Sequence, residues 1–421
     1  MFTREDNERL VRVSRGTPAG ELFRRYWQPA CLSTELPEPD CAPVRVRLLG
    51  EDLVAFRDSA GKIGLVAAFC QHRLAPLFFG RNEEHGLRCV YHGWKFDVRG
   101  TCVDLPTEPA GSPMQRDVRL KAYPTVEKAG IVWAYLGPEE TMPEPPDYEW
   151  TRAPETHCYV SKTYEACNYM QALEGGLDTA HSSYLHNMKL GDTKELRQRD
   201  RSPRLEVART NYGYYYVSTR DTGADGSYVR LYHFVLPFQQ MRGGMRGIGQ
   251  NEVPELNGHL WVPIDDEQTN VYNFGYSPDP EVPISGEQRE AFEHSFGRGR
   301  NDHIPGTFKL KRNPSNDYLI DRRVQKTQTF SGIEGINTQD FAIQEGMGPI
   351  VDRSQEYLGS TDRAIVASRR ILLEAMTAVE RGEPAPGTDP ATHRDIRPYD
   401  AIVPPGANWR QSFGHNLVCT W

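Results

Sequence analysis

Cys70-Gln-His72 and Cys89-Val-Tyr-His92, sixteen residues apart, decide how residues 70–92 must fold. Each half offers one thiol and one imidazole. Structural zinc sites favour like ligands in pairs, Cys-x2–4-Cys followed by His-x3–5-His. Mixed pairs instead suit two loops that each give one ligand to each iron of a Rieske [2Fe–2S] cluster. There two thiolates hold one iron and two imidazoles the other, which lifts the potential to roughly −150 to +300 mV. His85 lies between the pairs without a partner at ligand spacing, so a surface position is expected.

Outward from these loops the pattern is that of strands. Val44, Val46 and Leu48 alternate with Arg45 and Arg47, the period of a half-buried strand. Asp58-Ser-Ala-Gly61 predicts a hairpin turn between residues 53–56 and 63–67, and Phe96–Gly100 a second turn. Upstream, Thr17-Pro18 reads as an N-cap followed by proline at the first helical position, leading into Glu21–Trp27. Proline and glycine punctuate residues 137–148 and mark a boundary. The expected division is a helical arm at 1–27 packed on the larger domain, a cluster domain at 28–145 and a catalytic domain at 146–421.

At 421 residues the chain has room for two or more full cores. Its net charge of −8, with both signs interspersed, offers no basic block to follow a phosphate backbone. No apolar run is long enough to span a bilayer and no signal-peptide pattern opens the chain, so a cytoplasmic protein is expected. Of eight cysteines, six (Cys31, Cys41, Cys102, Cys158, Cys167 and Cys419) are scattered and are expected as buried thiols without disulfides.

Beyond the boundary, residues 167–188 lack proline and are expected to be mostly helical, despite Gly175-Gly176. Residues 204–236 predict antiparallel strands with turns at 211–213 and 223–226, and 259–263 and 271–276 flank a turn at Asp265-Asp266. An apolar stripe predicts a helix from about 361 to 381, and the proline-rich stretch 384–405 is expected to lie extended over the surface.

Asp178, His181 and His186 form a second constellation. A helix places Asp178 and His181 on one face, but His186, five residues further, falls away from it. Both imidazoles reach one metal only if the helix ends or widens between them. Two histidines and one carboxylate with open positions make the facial arrangement of non-haem Fe(II) oxygenases. A cluster that passes single electrons needs such a recipient. Spacing leaves the carboxylate open among Asp178, Glu334, Asp340, Glu345 and Asp352.

Several stretches together give a resemblance to the oxygenase α subunit of Rieske non-haem iron aromatic ring-hydroxylating oxygenases, in the phthalate dioxygenase-like branch. They are Gly16–Trp27, Arg88–Asp97, the Asp178/His181/His186 segment, Asn316–Arg322, Gly335–Asp340 and Gln344–Arg353. The resemblance implies an α+β fold: a small all-β Rieske domain, and a larger helix-grip-like catalytic domain of antiparallel sheet and helices. It implies a [2Fe–2S] cluster on Cys70, His72, Cys89 and His92, and mononuclear Fe(II) on His181, His186 and Asp340. Asp178 becomes the family's bridging aspartate, between His181 and His92 of the partner subunit, and Asn168 falls near the iron. Gln71 stands where the family often has proline, restoring a backbone N–H beside the cluster sulfurs. Also implied are a homotrimer or stacked hexamer, an NADH-dependent flavin and iron–sulfur reductase, O2, and an aromatic acid to be cis-dihydroxylated. O- or N-demethylation uses the same iron site. Tyr214–Tyr216, Arg220, Arg230 and Phe234–Phe238 are candidate pocket residues. Two readings of another class are a non-catalytic Rieske electron-transfer protein and a zinc-stapled interaction protein.

Overall fold

The computed structural model describes residues 2–109, 111–192, 194–244 and 256–421. Helices α1 (Arg4–Val11) and α2 (Pro18–Phe23) open the chain, each capped by a threonine; Thr17 with Pro18 forms the predicted cap. Short strands follow: β1 (Trp27–Leu32), β2 (Val44–Leu48), β3 (Glu51–Arg57), β4 (Ile63–Ala67), β5 (Arg81–Glu83), β6 (Gly86–Arg88), β7 (Lys95–Phe96), β8 (Cys102–Asp104), β9 (Ala122–Tyr123), β10 (Thr125–Lys128) and β11 (Ile131–Tyr135). They form three small sheets, in the orders β1-β11-β10, β2-β3-β4-β9 and β5-β6-β7-β8. The two predicted turns have one cause. Asp58 and Asp97 each accept two backbone N–H groups through Oδ1, closing β3–β4 and β7–β8.

The second half is one antiparallel sheet with helices against it. Its elements are β12 (Cys158–Glu165), α3 (Tyr169–Leu177), β13 (Arg204–Arg209), β14 (Gly213–Gly223), β15 (Gly226–Val235), β16 (Gln239–Arg242), β17 (Leu256–Pro263), β18 (Thr269–Tyr276), α4 (Gly286–Ser295), α5 (Ile336–Gly346), α6 (Arg363–Glu380) and β19 (Tyr399–Val403). The strand order is β12-β18-β17-β16-β15-β14-β13, with β19 also on β15. The fold is α+β. Helix α6 buries Ile365, Ile371, Leu372 and Met376, each worth about 1.5–3 kcal/mol. It packs on α1 and α2, and Asn7 donates to Val351 O at 3.1 Å, so the arm lies on this larger unit. No described helix is long and apolar enough to cross a membrane.

Two expectations are corrected. The stretch 384–405 does not simply run over the surface, because Tyr399–Val403 pairs with residues 227–231 of β15. Strand β16 covers only residues 232–235 of β15, and the tail takes up the edge left open. The helix expected over 167–188 stops at Leu177. Close packing requires Gly176, where a Cβ would lie 2.1 Å from the Trp261 ring, and at Gly175 a Cβ would push aside the end of the Gln344 side chain, 1.9 Å away. Asp178 then caps the end, and its Oδ1 accepts from Ala180 N–H at 2.7 Å, drawing the backbone out of the helix.

Candidate metal centres

The two cysteine–histidine loops are built alike. Cys70 N–H donates to Ala75 O and Cys70 O accepts from Leu74 N–H; Cys89 N–H donates to Trp94 O and Cys89 O accepts from Gly93 N–H. The fifth residue of each is left-handed, Leu74 at φ 56° and Gly93 at φ 76°. Both thiols are buried in an apolar cluster that includes Phe56, Leu87 and Phe96. Burial, with Cys89 close by, pushes the Cys70 thiol up to about 11, although the His72 N–H pulls the other way. Two thiolates this close need a cation between them. The rings of His72 and His92 stand 4.3 Å apart, and His72 Nδ1 is buried without a hydrogen-bond partner. An orphaned imidazole nitrogen beside two buried thiols fits an iron–sulfur cluster. His85 is exposed, as expected, and so is Gln71.

The second group lies past the end of α3. His181 opens a single helical turn, His181–Ser183, and His186 follows it. Asp340 stands on the second turn of α5, which Gly335 starts at φ 88°. His181 Nε2 is 3.1 Å from His186 Nε2 and 3.5 Å from Asp340 Oδ1, and His186 Nε2 is 3.2 Å from that oxygen. Three ligands bound at about 2.1 Å and at right angles stand about 3 Å apart. The outer nitrogens fix the tautomers. His181 Nδ1 faces Asp178 Oδ2 at 3.4 Å, and His186 Nδ1 faces Gln339 Oε1 at 2.7 Å. Both Nδ1 atoms carry the proton, so two lone pairs and a carboxylate oxygen converge on one point. Burial would raise the Asp340 pKa, but His186, His181 and Arg242 hold it below the usual carboxylate range. Among the described residues this is the one set of three such groups whose ligand atoms all lie within 4.8 Å of one another, as a single metal ion requires.

Comparison with known proteins agrees with this geometry. A Rieske [2Fe–2S] domain model matches residues 26–124, and a LigXa C-terminal domain-like model matches residues 134–419. The chain is 39% identical to the oxygenase subunit of phthalate 4,5-dioxygenase from Pseudomonas putida, across 97% of this chain and 94% of that one. It is 38% identical to the 3-chlorobenzoate-3,4-dioxygenase oxygenase subunit of Comamonas testosteroni, across 99% of each. The chain belongs to the Rieske non-haem iron oxygenases. The fold of this oxygenase subunit is shared with NdmA of Pseudomonas putida CBB5 with caffeine, in a QL mutant (TM-score 0.64, 19% identity, 92% of this chain and 99% of that one). As a member of that family, matched over its full length, the subunit works with a Rieske [2Fe–2S] cluster and a mononuclear iron, as an oxidoreductase fed by a reductase.

Several residues of the oxygenase subunit stand where its sequence did not put them. Glu334 pairs with Arg312 at the surface, Glu345 accepts from Ala166 N–H and the Tyr318 hydroxyl, and Asp352 caps a short turn. Asn168 is an N-cap: it accepts from Met170 N–H and donates to Val11 O and Asp266 O, so its side chain is engaged away from the histidines. Arg220 is committed to Ser183 Oγ and to the carbonyls of Asp200 and Thr179, and Arg230 donates to Gly243 O. Tyr215 points outward to Arg410, whereas Tyr214 and Tyr216 are buried.

Sequence reasoning missed Arg242 and Gln339. Strand register sets Tyr216, Tyr232, Arg242 and Asn257 in one row across the sheet. The Arg242 charge acts on both Asp340 and His181, so this row backs the metal group. Burial, Arg230 and Arg298 push Arg242 down to about 10, and its Nε donates to Asn257 Oδ1 at 2.6 Å. An isolated arginine in a strand carries no sequence signal of this kind. Gln339 does carry one, its place beside Asp340.

Proposed function

We propose that this subunit is the terminal oxygenase for an aromatic carboxylate of phthalate or benzoate type, adding both oxygen atoms as a cis-diol. One observation carries the reading: the donor atoms of His181, His186 and Asp340 converge near a half-buried guanidinium, Arg242. Residues 28–145 form the cluster domain, with Cys70, Cys89, His72 and His92 as its ligands. Residues 146–421 form the catalytic domain, with His181, His186 and Asp340 as iron ligands, and residues 1–27 are the arm. When bound, the cluster supplies single electrons and the ferrous ion supplies O2 activation.

Arg242 is assigned to the substrate carboxylate. It stays charged at neutral pH, yet two like charges press on it, and an incoming anion relieves that repulsion. The stacked rings of Tyr216 and Tyr232, 4.4 Å apart and both buried, lie in the same row as Arg242 and back it with aromatic surface. Phthalate and chlorobenzoate, named for two relatives, share the carboxylate this site would bind.

Asp178 is assigned to the link between the two centres, orienting His181 and reaching His92 of the partner subunit. Within the chain Asp178 contacts His181 and Ala180 N–H, whereas the His92 ring lies against His72 and Tyr91. Exposed Leu74, Val90 and Tyr91 surround the cluster loops, and exposed Tyr184, Met188 and Phe330 surround His186. Such apolar surface at both centres supports a head-to-tail trimer, alone or stacked as a hexamer. All eight cysteines are free, which supports a cytoplasmic setting.

The test is oxygen uptake with an NADH-dependent flavin and iron–sulfur reductase and a panel of aromatic acids, their neutral esters and methyl ethers. Uptake driven by an acid and yielding a diol is expected. Equal turnover of the neutral esters overturns the carboxylate reading, and formaldehyde from a methyl ether replaces dihydroxylation with demethylation.

A further inference from the structure

Gln339 is fully buried and its amide is held on three sides. Its Nε2 donates to Ile333 O at 2.8 Å and lies 3.3 Å from Met188 Sδ. A carbonyl oxygen and a thioether sulfur can only accept. The nitrogen of the amide must therefore face them, and the oxygen must face His186 Nδ1, 2.7 Å away. An oxygen at that distance accepts, so the ring proton sits on Nδ1. The Nε2 lone pair is left pointing at Asp340 Oδ1 and His181 Nε2. His181 reaches the same state through a different partner, the charged Asp178.

We propose that Gln339 is a positioning residue for the mononuclear iron site: it fixes the tautomer and ring plane of His186 through a neutral amide. The inference rests on the reading of His186 as an iron ligand. Without the oxygen acceptor, His186 is free to turn or to carry its proton on Nε2, where it blocks the donor position. Outer partners of metal-bound histidines typically set affinity in this way. A neutral partner also adds no third carboxylate to a pocket already holding Asp178 and Asp340.

The experiment uses the full-length, cluster-loaded protein stripped of its mononuclear metal and titrated with Co(II), followed by its visible bands. His186→Ala is expected to abolish binding at this site. Gln339→Leu is expected to weaken it about 10- to 100-fold, with the cluster spectrum and the unfolding temperature of the metal-free protein unchanged. Gln339→Glu, which keeps an oxygen at the same place, is expected to return most of the affinity. Wild-type affinity in Gln339→Leu, alongside loss in His186→Ala, overturns the inference and leaves the ligand reading standing. Wild-type affinity in His186→Ala overturns the ligand reading itself. Should Gln339→Leu fail to fold, nitrogen-15 histidine NMR of the metal-free wild type decides. A protonated His186 Nδ1 supports the inference, whatever Nε2 carries, and a bare Nδ1 defeats it.

Discussion

Arg220 donates through Nη2 to the carbonyl oxygen of Thr179 at 2.7 Å, fastening the loop of His181 to strand β14. The same guanidinium holds Ser183 Oγ and Asp200 O. Arg220→Leu leaves buried acceptors unmatched, at about 1–3 kcal/mol each. Expected are loss of most mononuclear iron, measured by metal analysis, and an unchanged Rieske absorption spectrum.

Arg242 lies in the row of Tyr216, Tyr232 and Asn257 and acts on Asp340 by its charge. Losing a hydrogen bond to a charged group costs about 1.5–3 kcal/mol, roughly 10- to 100-fold in an equilibrium. Arg242→Gln is expected to raise KM for an aromatic acid by about 10- to 100-fold and to leave cluster reduction by the reductase untouched. Steady-state oxygen uptake at varied substrate concentration checks it, and an unchanged KM excludes Arg242 from carboxylate binding.

Leu74 and Gly93 hold matching left-handed positions in the cluster loops. A left-handed backbone costs an ordinary residue about 1–2 kcal/mol, and glycine avoids that cost. Leu74→Gly is therefore expected to raise the unfolding temperature of the cluster domain slightly. Gly93→Ala should lower it, since the new Cβ would lie 2.7 Å from Pro106 Cγ. Thermal melts followed at the cluster absorption distinguish the two.

Glu51 accepts from Arg24, Lys121 and Tyr123, tying α2 to β3 and β9. Burial would raise its pKa, but these donors bring it down to about 2 from 4.5. The unfolded chain binds more protons between those values, so the stabilisation is complete above pH 4.5 and is lost as pH falls through 2. Buried His233 has its pKa pushed down to about 4 from 6.5, and its contribution is lost earlier, from pH 6.5 down to 4. Glu51→Gln is expected to cost about 3 kcal/mol at neutral pH, leaving Arg24 buried and unpaired. It should also flatten the acid side of the denaturant-midpoint profile below pH 4.5 while the His233 step persists.

Much of this fold was legible from local pattern. Asp58 and Asp97 turns, the Thr17-Pro18 cap and the α6 stripe depend on neighbours a few residues away, and each stands within a residue or two of its expected place. The end of α3 was harder. Gly175-Gly176 is a weak breaker by itself; only Trp261, more than eighty residues distant, shows why no side chain fits at Gly176. The tail strand was missed because its partner edge on β15 exists only once β16 has stopped short.

The same line runs through the metal centres. Sequence alone determined the chemistry on offer: which thiols and imidazoles form mixed pairs, and that two histidines lie near one acid. It did so because ligand spacing within a loop is a local, covalent matter. Tertiary structure decided which of Glu334, Asp340, Glu345 and Asp352 meets the histidines, which proton each imidazole carries, and which arginine stands behind them. Those answers depend on α3, α5 and the sheet packing together, and no segment holds that information until the chain has folded.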